Sequence, residues 1–169
     1  MKLATIFIVG ALLLSSCKSG EENQQTKKIT SQELCSAFNL KTAENLVHKQ
    51  LKIDTLEKHK FPYVTTCSIE NESGYPYFTI TLYYNKKNAD AKYYAPPKSV
   101  FNFSYKTINE TLVAVEPKSK EVAEVFQKGK NKWVASILLM NVKVPENSAQ
   151  EKQLISFLDT AMDKLQSTK

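Results

Sequence analysis

His48 and His59 are the only imidazoles in the chain, and neither an HExxH run nor a cysteine cluster stands near them. No metal site is therefore expected. Glu44 and His48 have the i,i+4 spacing of neighbours on a helix, as do Asp159 and Asp163. A solvated surface pair accounts for each better than a coupled acid and base, whose pKa values must be driven apart by their surroundings. The chain has only four glycines, Gly10, Gly20, Gly74 and Gly129, too dispersed for a phosphate-cradling loop or a nucleophile elbow. Neither a nucleotide cofactor nor a common hydrolase site is expected, and no catalytic residue is assigned. All 23 basic residues are lysine. Without the planar guanidinium fork that grips phosphate and guanine, specific nucleic-acid recognition is not expected. The formal charge of +6, spread among 17 acidic residues, reads as a soluble lysine-rich surface. What remains is aromatic. Tyr77 and Tyr83 share a strand face with Thr79 and Thr81, while Tyr93, Tyr94, Phe101 and Phe103 are interleaved with Lys98 and Lys106. Tyrosine offers apolar area and a hydroxyl at low entropic cost, so these six aromatics form the candidate surface for a protein or glycan partner. They would be core instead if a helix covered that face of the sheet.

The N-terminus carries an address. Met1-Lys2 is followed by Leu3 to Leu14, apolar apart from Thr5. These residues fall short of the roughly 20 needed to span a bilayer, and read as the core of a signal peptide. Next comes Leu14-Ser15-Ser16-Cys17, which resembles the lipobox of bacterial lipoproteins. The resemblance implies lipidation of the Cys17 thiol, cleavage before it and acylation of the new amine. At about 0.8 kcal/mol per buried CH₂, two or three acyl chains hold a protein on a membrane essentially permanently. Lys18 stands where lipoproteins retained at the inner membrane typically have Asp, which points to the outer membrane, with periplasmic and surface-facing orientations both open. Residues 18 to 29 are polar and aperiodic, a tether whose roughly 12 residues would reach about 40 Å when extended. With Cys17 lipidated, Cys35 and Cys67 remain as an even pair in an exported protein, so a disulfide between them is expected.

These readings divide the chain into a signal peptide (1–16), a lipidated cysteine with its tether (17–29) and a single domain (30–169). A composition of 42% hydrophobic and 24% charged residues suits one globular domain and excludes disordered and multi-span membrane classes. Asn39 is placed to cap a helix from Leu40 to about Leu51. Tyr63 to Glu70 and Tyr77 to Tyr84 alternate as strands around an Asn71-Glu72-Ser73-Gly74 turn. A short helix within Asn85 to Ala95, stopped by Pro96-Pro97, precedes alternation at Phe101, Phe103 and Tyr105. Strands are expected at Leu112 to Glu116, Val122 to Phe126 and Trp133 to Val144, the last apolar on both faces and therefore central. Ser148-Ala149-Gln150-Glu151 has the spacing of a capping box and opens a closing helix through Leu165. The expectation is an α+β domain: an antiparallel sheet flanked by an N-terminal and a C-terminal helix.

Leu34-Cys35-Ser36 just before the first helix, Thr66-Cys67-Ser68 in the first strand, the hairpins and the closing helix together resemble a family of small lipid-anchored bacterial proteins of unknown function. That family is similar in fold to the PsbP group, and the resemblance implies an α/β/α sandwich. The expected function is a non-enzymatic binding or scaffold module held on the membrane through Cys17, with an envelope protein or a glycan as partner. Two alternatives stand beside it. One is an inhibitor or immunity protein that blocks an envelope toxin or hydrolase, which a protruding aromatic loop near 93–105 would favour. The other is an enzyme whose site is assembled from distant residues, which a deep pocket with converging polar groups would favour.

Overall fold

A computed structural model describes residues 28–55, 64–85, 87–97, 100–129 and 133–167. The expected leader, Cys17 and most of the expected tether lie outside the described residues, as do His59, Pro62, Tyr63 and Lys98. The described chain opens with two short helices, α1 (Ser31–Ala37) and α2 (Leu40–Val47), and closes with α3 (Ala149–Ser167). Between them run β1 (Lys52–Asp54), β2 (Val64–Glu70), β3 (Pro76–Tyr84), β4 (Ser104–Ile108), β5 (Thr111–Glu116), β6 (Glu121–Lys128) and β7 (Trp133–Leu139). All pair antiparallel in one seven-stranded sheet of order β1-β2-β3-β7-β6-β5-β4. The α+β class and the antiparallel sheet are as expected, and β7, apolar on both faces, is the middle strand.

The three helices share one face of the sheet, so among the described residues the layers are helices on one side of a sheet and not the expected α/β/α sandwich. Leu34, Ala43, Leu46, Leu154, Phe157 and Leu158 close against Cys67, Ile69, Phe78, Ile80, Val125 and Ile137 in a single core. Phe157 stacks edge-on with Phe38 at 5.1 Å and with Phe78 at 6.3 Å, pinning α3 to α1 and to β3. Cys35 of α1 is joined to Cys67 of β2, with Cα atoms 5.5 Å apart, so the expected staple is present. Its closed loop of 32 residues corresponds to about 3.7 kcal/mol in the chain-entropy account. No described helix is long and apolar enough to cross a membrane.

Several local expectations give way to capping and side-chain chemistry. Cys35 lies inside α1, which a Thr30–Glu33 capping box initiates, rather than ahead of the first helix. The helix from Asn39 stops at Val47 because His48 takes a left-handed cap, leaving room for β1. The helix expected within 85–95 shrinks to a 3-10 turn at Ala91–Tyr93. Buried Asn85 explains this: its amide donates to Ala89 O and accepts from Ala89 N, both at 2.7 Å, so it holds the backbone out of a helical path. Strand β4 begins at Ser104, leaving Phe101 and Phe103 in the connecting segment, and β7 ends at Leu139, five residues short of Val144. The α3 cap is a variant of the expected box. Ser148 accepts from Glu151 N at 3.1 Å, but Glu151 accepts from Asn147 N at 2.8 Å instead of from Ser148.

Candidate functional site

The face away from the helices is read in continuous cross-strand rows. One runs Ser68, Thr79, Leu138, Glu124, Ala114, Tyr105, and the next runs Thr66, Thr81, Ser136, Phe126, Leu112, Thr107. Over part of this surface residues 91–97 and 100–103 lay their own side chains. Ala91, Tyr94, Ala95 and Phe103 pack with Leu112, Ala114, Phe126, Val134, Tyr83 and Tyr105 in a second, smaller core. The Tyr94 ring lies 5.1 Å from Tyr83 and 5.2 Å from Tyr93, and Tyr105 donates its hydroxyl to Pro96 O at 2.8 Å. The covering segment is therefore anchored by ring packing and a hydrogen bond to two strands, as a binding surface must be if it is to be presorganised.

The candidate aromatics separate into three situations. Tyr93 and Phe101 are 64% and 49% exposed, with Val100 between them in sequence at 62%. Tyr83, Tyr94 and Phe103 are half-buried and support them, Phe103 by stacking on Phe101 at 5.3 Å. Tyr77 does not belong with the others. Where β2 meets β3, Ile69 pairs with Phe78 but Glu70 pairs with Pro76, so Tyr77 is the extra residue of a bulge and joins the core on the helix side. It is 6% exposed, and Lys49 at the end of α2 donates to its hydroxyl at 2.8 Å. Simple alternation cannot anticipate such a bulge, and Tyr77 leaves the candidate surface.

Beneath the covering segment lies a group that alternation alone did not flag. Glu124 is 7% exposed on β6, between Leu138 and Ala114. Burial pushes its carboxyl up to about 7, against the Ser136 hydroxyl, which pulls it down. Burial, then the nearby Glu124 charge, raises both Tyr83 and Tyr105. Ser136 Oγ is itself fully buried and makes no hydrogen bond of regular geometry to either neighbour. Small Ala114 leaves room for Tyr105 to approach from the far strand. The signal in the sequence was a lone carboxylate embedded in Val122-Ala123-Glu124-Val125-Phe126.

Other candidates resolve into structural roles. Glu44 accepts from Leu51 N at 3.2 Å and pairs with Lys41 at 3.4 Å, so its partner is not His48, which caps the helix. Asp159 accepts from Gln127 on β6. Among the described residues no three His, Cys, Asp or Glu side chains gather where they could hold a metal ion. One open cleft of about 490 Å³ adjoins the aromatic segment, lined in part by Asp90, Lys92, Glu110 and Lys128. A second, of about 460 Å³, lies along the polar side of α2. No family model, curated protein or solved structure matches the chain.

Proposed function

We propose that this chain is a lipid-anchored envelope protein whose domain is a non-enzymatic binding or scaffold module, working through the aromatic segment over the helix-free face. The observation that carries this reading is the pairing of exposed Tyr93 and Phe101 with supports that fix them, Tyr94 and Tyr83 under one and Phe103 under the other. Rigid exposed aromatics supply contact area without an ordering cost on binding. The carboxyl and hydroxyls of Glu124, Ser136 and Tyr83 lie under this cover, where they shape the platform rather than meet a substrate. The lipobox at Leu14-Ser15-Ser16-Cys17 supports the anchor, and Lys18 supports the outer membrane. The Cys35–Cys67 bond suits an oxidising compartment and matches the cysteine positions that carry the resemblance to the lipid-anchored family. An inhibitor of an envelope toxin or hydrolase is the second reading, favoured by the protrusion of Tyr93 and Phe101, since such complexes bury an anchor in the partner's cleft.

Two experiments test the proposal. Metabolic palmitate labelling should mark the wild-type chain and not Cys17→Ser; a labelled variant overturns the anchor. Cross-linked affinity capture from intact cells should enrich a partner that disappears in Tyr93→Ser/Phe101→Ser, a pair chosen because both are exposed and leave the supporting rings in place. Equal recovery with both proteins overturns the assigned surface.

A further inference from the structure

Glu124 sits where an ionised carboxyl has little to hold it. In its row of the sheet it is flanked by Leu138 and Ala114. Tyr83 of β3, Tyr105 of β4 and Ser136 of β7 face it, β5 brings only apolar side chains, and the covering segment brings the Tyr94 ring and apolar groups. Among the described residues no ammonium acts on the carboxyl, and the Ser136 hydroxyl is the one side chain that favours its ionised form. A bare carboxylate accepts about four hydrogen bonds, so that single donor leaves it poorly solvated. Tyr105 cannot make up the deficit while the segment is closed, because its only hydroxyl proton is given to Pro96 O at 2.8 Å. The lid over this carboxyl is lightly held. Of its described residues only Ala91 is buried, whereas Tyr94, Ala95 and Phe103 are half-buried, and it shares no side chain with the large core under the helices. A segment packed so lightly can open without the rest of the domain.

We propose that the aromatic platform is pH-sensitive: the segment lies closed on the sheet while Glu124 is protonated, and loosens when Glu124 ionises and draws water or the Tyr105 hydroxyl to itself. The inference rests on the reading of this segment as the partner-binding platform and adds its regulation. Closed, the segment presents Tyr93 and Phe101 on fixed supports; loosened, it must be ordered again before a partner can bind, so affinity falls as pH rises. The closed carboxyl titrates at about 7 and a solvated one at 4.5. Each unit of pH in between therefore raises the ratio of open to closed segment about ten-fold, and the rise from pH 5.5 to pH 8.5 is about thirty-fold in all.

Amide hydrogen exchange of the whole chain at pH 5.5 and pH 8.5, corrected for the intrinsic effect of pH on exchange, tests the device. The reporters are Tyr93 N and Tyr94 N, which donate to Asp90 O and Ala91 O, both at 3.0 Å. A single 3-10 turn keeps such bonds only while it is packed. In the wild type their opening should increase about thirty-fold between the two pH values, and at each pH should exceed that of the Leu158 amide in α3, which opens only when the domain unfolds. In Glu124→Gln it should be the same at both. No increase in the wild type, the same increase in Glu124→Gln, or opening no greater than that of Leu158 overturns the proposal. Affinity capture with Tyr93→Ser/Phe101→Ser reads the platform itself, so failure of the pH device and failure of the binding surface are distinguishable.

Discussion

Replacing Glu124 by glutamine should remove a specific part of the protein's pH dependence. In the folded chain the Glu124 carboxyl titrates near 7, raised by burial from an ordinary value of 4.5. A carboxyl raised in this way favours the folded state when protonated. Its contribution is fully present below about 4.5 and is lost as pH rises through about 7, because in that window the folded chain binds more protons than the unfolded one. The gap between 4.5 and about 7, at about 1.4 kcal/mol for each tenfold change in proton affinity, amounts to about 3 kcal/mol between the two ends of the window. The groups facing the carboxyl, Tyr83 of β3, Tyr105 of β4 and Ser136 of β7, stay uncharged across it, so Glu124 titrates alone among them. Trp133, the only tryptophan, is buried at the start of β7 and reports unfolding by its fluorescence. Urea titrations of wild type and Glu124→Gln at pH 4, 5, 6, 7 and 8.5 give the difference in stability at each pH. The variant should gain on the wild type by about 3 kcal/mol between pH 4 and pH 8.5. A flat difference curve, or one in which the wild type gains as pH rises, refutes the reasoning.

Other consequences follow from the packing. Cys35→Ser/Cys67→Ser should lower stability by about 3 to 4 kcal/mol, read from the urea midpoint, and the wild-type chain should show neither cysteine free when its mass is measured after alkylation. Leu158→Ala, wholly buried between α3 and the sheet, should cost about 2 to 5 kcal/mol and lower Tm accordingly. Lys106 points inward from edge strand β4, with its ammonium 2.8 Å from Glu151 and 3.3 Å from Glu146. Lys106→Met strands the buried Glu151 carboxylate and should cost on the order of 2 to 3 kcal/mol, whereas the double change with Glu151→Gln should recover part of it in a denaturation cycle.

The sequence revealed those elements whose apolar pattern comes directly from burial. Strands β2 and β3 and the stripe of α3 announce themselves by periodicity, and β5 and β7 by apolar residues on both faces. Features decided by a single backbone angle or a side-chain bond were hidden. The left-handed His48 shortens α2, the Asn85–Ala89 bonds cancel a helix, and the bulge at Tyr77 moves one candidate ring through the sheet. The aromatic segment was legible as composition, but which rings are exposed depends on its path over β5 and β6, a contact remote in sequence. Glu124 was missed for the same reason. Its neighbours Tyr83, Tyr105 and Ser136 come from three other strands, none of them adjacent in the chain.

The central claim is that the segment over the helix-free face, and not the opposite end of the sheet, meets the protein's partner in the envelope. The most direct measurement places photo-reactive p-benzoylphenylalanine at position 93, and separately at position 118, in cells expressing the whole chain. After illumination, the account predicts a discrete protein adduct from position 93 and none from position 118. Adducts from position 118 alone, the same adducts from both positions, or no protein adduct from position 93 would contradict it.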